Sequence, residues 1–251
     1  MSSDTPIGIG LVRPDLLGTY GDAGNAVVLA QRLRWRGRPA EVVPLGIGAQ
    51  IPDSIRVLVL GGGEDRSQLA LLDDRPLLDQ LLAAVDRGAS VLGVCAGLQI
   101  LGESFAGSDD VTHRGLGLLD CTTDRLEQRA VGECVIEAAA GALCAGTALL
   151  TGFENHLGRT ILGPGATPLG RVTVGVGNGD GRDGAISTSG RIIGTYLHGP
   201  VLARNPILAD RLLEAAVGEL EPLPVPVVDR LRAERIAAAR AGDHAPVGAV
   251  R

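Results

Sequence analysis

The amino-acid sequence predicts an α/β protein: a doubly wound, mostly parallel sheet flanked by helices, with a β-rich insertion. Short apolar runs at Ile7–Val12, Ala40–Val43, Arg56–Leu60 and Ser90–Val94 alternate with segments of helical spacing. That β–helix–β order with short links implies parallel strands and right-handed crossovers. The run ending at Leu60 leads straight into Gly61-Gly62-Gly63, at the carboxyl end of a strand, where open α/β sheets bind ligands. The segments 120–132 and 133–139 then read as strands of the insertion, and 163–190 as glycine-punctuated hairpins with Asn178-Gly179 and Asp183-Gly184 as turns.

The first strand, Ile7–Val12, opens into a loop dense in turn formers, Arg13 to Asn25, and Asp22 is placed to cap the helix that follows. In that helix Val27, Val28, Ala30, Gln31, Leu33 and Trp35 keep helical spacing until Gly37. Asp74 and Pro76 start a second helix that carries Leu77, Leu78, Leu81, Leu82 and Val85 and closes at Gly88. Strand Ser90–Val94 delivers Cys95, and small Ala96 and Gly97 open the next helix. His113 falls in a polar loop, and residues 151–160 also read as polar and loop-like. Ile192–Leu197 is a strand ending at His198, and Asn205-Pro206 starts a helix with Ile207, Leu208, Leu212 and Leu213 on one face. Residues 1–215 form the principal domain; 216–251 hold a proline-rich link (221–226), a basic helix over 227–240 and a loose tail.

Composition narrows the function classes. With 251 residues and 45% hydrophobic content the chain can bury a sizeable core, and no apolar run reaches the ~18 residues of a membrane span. The N-terminus lacks a basic leader, and four cysteines at wide, uneven spacing suit neither a zinc site nor a disulfide framework, so the expected setting is a reducing cytoplasm. A formal charge of −6 offers no electrostatic case for nucleic acid. All 23 basic residues are arginine, which excludes Schiff-base chemistry and a P-loop lysine on this chain.

Gly93-Val94-Cys95-Ala96-Gly97 has the form of a nucleophile elbow, a strained strand-to-helix turn that thrusts its central side chain toward a ligand. A lone cysteine in an apolar run is normally structural. Glycines on both sides favour a nucleophile instead, and a helix N-terminus there would favour its thiolate. His198, at the end of another apolar strand, is the matching base, able to activate sulfur and later protonate a leaving amine. His113, His156 and His244 compete; the first lies in a polar loop and the last in the tail.

Residues 93–99, the distant His198 and the Gly61–Gly63 loop resemble the class I glutamine amidotransferases. The segments 152–160 and 196–200 resemble their cobyric-acid-synthase-like branch. The loop at 15–25 is similar to that of the GatD family, the glutaminase subunits of lipid II isoglutaminyl synthases. The resemblance implies that Cys95 attacks the side-chain amide of L-glutamine, with the oxyanion held by N–H groups of the Gly61–Gly63 loop, Gly62 foremost with Gly63, and of Ala96. Gln99 would line the pocket and Arg129, placed in a loop, would grip the α-carboxylate. It also implies a heterodimer with a MurT-like, Mur-ligase-family subunit. That subunit holds ATP and Mg, this chain holding no cofactor or metal, and uses the ammonia to amidate D-glutamate of the lipid II stem peptide, a step of peptidoglycan biosynthesis. One departure stands out: many class I domains carry a glutamate two residues after the histidine, and Pro200 stands there. The acid is therefore expected from the partner, with Glu154 as the candidate within the chain, and the isolated chain is expected to be a poor glutaminase.

Three rivals remain at this stage: a glutaminase serving a cobyrinate-like corrin, a non-catalytic scaffold, and a cysteine peptidase on a similar fold. Enzymes of the corrin branch usually carry their own ATP-binding domain ahead of the glutaminase, whereas the glutaminase motifs here begin within about ten residues of Met1.

Overall fold

The computed structural model describes residues 5–18, 20–109, 111–143 and 148–242. The first four residues, Cys144, His244 and the tail beyond 242 lie outside the described residues. Strand β1 (Ile7–Val12) is followed by helix α1 (Ala23–Trp35), β2 (Ala40–Leu45) and β3 (Ile55–Leu60). After α2 (Asp65–Leu72) and α3 (Arg75–Asp86) come β4 (Ser90–Val94) and α4 (Ala96–Leu101). The insertion holds β5 (Ser104–Ala106), β6 (Thr112–Arg114), β7 (Cys121–Ala138), β8 (Leu149–Leu162), β9 (Ala166–Thr167), β10 (Gly170–Val174), β11 (Arg182–Asp183) and β12 (Ala185–Ser187). The chain closes with β13 (Ile192–Thr195), α5 (Val201–Arg204), α6 (Pro206–Val217) and α7 (Pro226–Gly242).

The principal sheet has the order β2-β1-β3-β4-β13-β12-β9, parallel from β2 through β13 and antiparallel beyond. Its centre is dry: every residue of β4 and β13 is buried. Strands covered on both faces read as continuous apolar runs, which is why they are legible in sequence. Helices α1 and α6 pack on this sheet and on each other. The buried Arg32 of α1 reaches Asp210 of α6 with two bonds of 2.7 and 2.6 Å. Arg32 is buried and Asp210 partly so, and losing Asp210 would leave the buried guanidinium without its carboxylate.

A second sheet, β11-β10-β7-β5-β6 with β8 paired to β7, forms the insertion. The two strands expected over 120–139 are one strand, β7, whose pairing with β8 jumps from Arg125↔Gly158 to Ala130↔His156. Four residues, 126–129, therefore bulge opposite a single one.

Residues 151–160, expected as a loop, lie within strand β8. From Gly152 onward burial alternates, with Gly152, Glu154, His156, Gly158 and Thr160 all buried. The inward side chains include polar Glu154, His156 and Thr160, bonded to Val176, Gly177, Gly158, Thr123 and Tyr196, so the pattern does not register as hydrophobic. His113 likewise lies in a strand, β6. Helix α2 was not expected after the glycine loop: it has eight residues and buries only Gln68, Leu71 and Leu72. The C-terminal helix α7 lays Ile236 and Ala239 on Val135, Leu149 and Val174 of the insertion.

Asp183 is fully buried where the sheets meet, accepting bonds from Thr195 Oγ1 at 2.6 Å and from the Tyr196 N–H at 3.2 Å. Burial pushes its pKa up to about 6, against the opposing pull of those donors. A carboxyl whose folded-state pKa stands above its unfolded value favours the fold below the unfolded value, and the advantage is lost as pH rises through about 6. We expect the Asp183→Asn variant to gain on the wild type in urea midpoint as pH rises from 4 to 7. An offset constant with pH would show that Asp183 does not titrate with folding.

Candidate active site

Cys95 occupies the turn between β4 and α4 with φ 52° and ψ −103°, a left-handed backbone that a non-glycine residue rarely adopts. Its N–H is tied to the Thr195 carbonyl at 2.9 Å, joining the elbow to the strand that carries His198. The flanking glycines answer to close packing. A Cβ at Gly97 would lie 2.5 Å from the Leu60 carbonyl oxygen, and one at Gly93 would lie 2.6 Å from Leu101 Cδ1.

The expected lowering of the thiol pKa is not found. Burial pushes the Cys95 thiol up to about 12, the Asp22 carboxylate adds to the rise, and the Ala96 N–H bonded to the sulfur opposes it only in part. Helix α4 has six residues, and its N-terminus does not offset desolvation at a side chain only 7% exposed.

His198 is 2% exposed, and its Nδ1 lies 2.9 Å from Asp22 Oδ2. With Nδ1 donating its proton to that carboxylate, Nε2 is left as the base; it is buried and has no other partner among the described residues. The acid expected from a partner is thus supplied by this chain, from the loop before α1. Asp22 makes no side-chain capping bond to α1; the same Oδ2 instead accepts the Gly62 N–H at 2.9 Å.

Glu154, the alternative acid, is not at His198. Its carboxylate accepts the N–H groups of Val176 and Gly177, both at 2.8 Å, and stands 3.6 Å from His156 Nε2. His156 stacks on Tyr196 with ring centroids 3.7 Å apart.

Cys95 opens onto a cavity of about 430 Å³ lined also by Tyr20, Gly63, Gln68, Gln99, Arg129 and Asn155. The structure therefore brings Cys95, Gly63, Gln99 and Arg129 to one cavity. Gly62 sits behind it: a Cβ there would lie 2.7 Å from His198 Cε1, and its N–H is engaged by Asp22. Arg129 lies in the bulge of β7 rather than in a loop after α4, since bulges re-aim side chains. Gln99 accepts a 2.5 Å bond from Gln68. Sequence reasoning missed Asp22, Tyr20, Asn155 and Gln68 as site residues. The first three lie in segments singled out for their pattern, whereas Gln68 sits on the unexpected helix α2.

A strained cysteine elbow and a carboxylate-bound histidine thus stand at the ends of adjacent parallel strands, beside a glycine loop. Residues 8–206 match the CobB/CobQ-like glutamine amidotransferase domain, and the chain belongs to that family: it is a glutamine amidotransferase. It is 37% identical over 204 residues to the lipid II isoglutaminyl synthase (glutamine-hydrolyzing) subunit GatD of Staphylococcus aureus (strain N315), spanning 80% of this chain and 81% of that one. Identity to the subunit of the same name from Streptococcus pneumoniae (strain ATCC BAA-255 / R6) is 28% over 228 residues, 89% of this chain and 86% of that one. The fold also matches the structure of PurLQS from Thermotoga maritima, with a TM-score of 0.60 and 16% identity over 86% of this chain and 99% of that one.

Replacing Asp22 by Asn keeps the shape and removes the charge. We expect glutamine hydrolysis to fall by about 10²- to 10⁴-fold, through loss of imidazole orientation. The same change should make Cys95 easier to ionise, so that its alkylation by iodoacetamide begins at lower pH. An Asp22 that served only α1 would move neither quantity.

Proposed function

We propose that this chain is the glutaminase subunit of a lipid II isoglutaminyl synthase. It hydrolyses L-glutamine to glutamate and ammonia and passes the ammonia to a MurT-like subunit. That partner binds ATP and Mg and amidates the D-glutamate of the lipid II stem peptide to D-isoglutamine. Support for the acceptor comes from the likeness to the two GatD subunits across four fifths or more of each chain. The observation that carries the hydrolytic step is the strained Cys95 opening onto the cavity next to the Asp22–His198 pair.

In this mechanism the α-carboxylate of glutamine docks on Arg129, and its side-chain amide carbon comes to rest against Cys95 Sγ. The thiol proton passes to His198 Nε2 as the S–C bond forms, which removes the need for a free resting thiolate. The Asp22 carboxylate stabilises the imidazolium through Nδ1. The oxyanion is held by the N–H groups of Gly63 and Ala96, because the Gly62 N–H already serves Asp22. His198 then gives its proton to the departing nitrogen, releasing ammonia and leaving a thioester on Cys95. A water that loses its proton to Nε2 attacks that carbonyl; the C–S bond breaks, the proton returns to sulfur, and glutamate leaves.

Purified full-length chain, alone and with a MurT-like ligase subunit, ATP, Mg and lipid II, tests both levels. We expect Cys95→Ala to abolish glutamate release and glutamine-dependent amidation, while added ammonium salts still support amidation by the complex. Glutamate release by the Cys95→Ala chain at the wild-type rate would refute the thioester route. Amidation of some other acceptor, with lipid II untouched, would refute the assigned partner.

A further inference from the structure

The cavity contains two side chains, Asn155 and Tyr20, that the hydrolytic steps above leave unused and that connect Arg129 to His198. Arg129 leaves the bulge of β7 and donates from Nε to Asn155 Oδ1 at 2.6 Å. Asn155, on β8, donates in turn from Nδ2 to the Tyr20 hydroxyl at 3.3 Å. The Tyr20 ring lies against His198 with centroids 4.6 Å apart and planes tilted by 50°. All three residues line the cavity with Cys95, while His198 lies behind the Tyr20 ring and is almost fully buried.

We propose that Asn155 is a positioning residue: it joins the arginine that receives the substrate carboxylate to the tyrosine that holds the catalytic histidine in place. The inference rests on the glutaminase reading and on Arg129 as the carboxylate site. Geometry supports the joint at both ends. A guanidinium fixed through Nε presents its two Nη groups outward, the edge that grips a carboxylate with parallel bonds. A single amide uses Oδ1 for that task and Nδ2 for Tyr20, so a shift of the guanidinium is transmitted to the ring. Asn155 is only half-buried, and water could satisfy its amide, so burial does not force this pairing.

The consequence is that carboxylate binding remote from the amide is converted into alignment of the base. Binding energy used in this way appears in kcat, not only in KM. A substrate without the α-carboxylate engages Arg129 weakly and does not draw the set together.

The test compares L-glutamine with 4-aminobutanamide, which has the same amide and amine but no carboxylate, on the full chain alone and with its ligase subunit. For the wild type we expect kcat for glutamine to exceed that for 4-aminobutanamide by about tenfold or more. Asn155→Ala and Tyr20→Phe should each lower kcat for glutamine by roughly five- to tenfold and leave kcat for 4-aminobutanamide within about twofold. The double variant should be no slower than the slower single one, since both break one linkage. Tyr20→Phe keeps the ring and its packing, so it remains informative if Asn155→Ala loses stability. Equal losses on both substrates, or multiplicative losses in the double variant, would overturn the coupling while Cys95→Ala stays dead. Wild-type and Cys95→Ala chains that perform alike, in either form of the enzyme, would overturn the glutaminase reading and this inference with it.

Discussion

One buried carboxylate oxygen holds the site together. Asp22 Oδ2 receives His198 Nδ1 and the Gly62 N–H together, so a single atom fixes the base and the glycine loop relative to each other. Asp22 is fully buried, and an ionised group there is tolerable only with donors aimed at it. The surrounding loop is built to keep it there. Buried Arg13 anchors the loop's start to Asp15 at 2.7 Å and Asp74 at 3.1 Å. At its far end Asn25 Oδ1 accepts the Leu202 N–H at 2.9 Å, just beyond the histidine. A Cβ at Gly24 would lie 2.4 Å from Pro200 Cγ, so the two segments meet face to face.

Pro200 stands where many class I domains carry a glutamate and packs against Gly24, while the carboxylate at His198 comes from the same N-terminal loop. Orientation of an imidazole requires an acceptor at Nδ1, here a carboxylate, whichever part of the chain delivers it. The sequence separation of 176 from Asp22 to His198 is bridged by the parallel sheet, which sets β1 and β13 on either side of β3 and β4.

The same geometry marks what was legible in the sequence. Cys95 and His198 could be read because their signals are local: an apolar strand, then flanking glycines or a strand end. Most of the principal sheet was legible for the same reason. Asp22 was not, because its local pattern, an acidic residue before a helix, fits a cap equally well, and only the packing of Gly24 on Pro200 decides between the two roles. Strand β8 hid behind inward-facing Glu154, His156 and Thr160: Glu154 accepts the Val176 and Gly177 N–H groups, and Thr160 bonds Thr123 and Tyr196, so polar residues fill positions that an apolar pattern would mark. Arg129 was singled out by its charge, but its route into the cavity depends on a register jump that no local pattern announces.

The raised thiol pKa then falls into place with the acid that causes part of it. Burial is the main cause of that rise, and the short helix α4 beside the elbow does not offset it. On the proposed route Asp22 has two opposed effects on that sulfur: its charge disfavours the thiolate directly, yet it would stabilise the imidazolium formed if His198 takes the proton. That route ties ionisation of the thiol to occupancy of the cavity, which Cys95 shares with Arg129 on the bulge of β7 and Asn155 on the neighbouring strand β8.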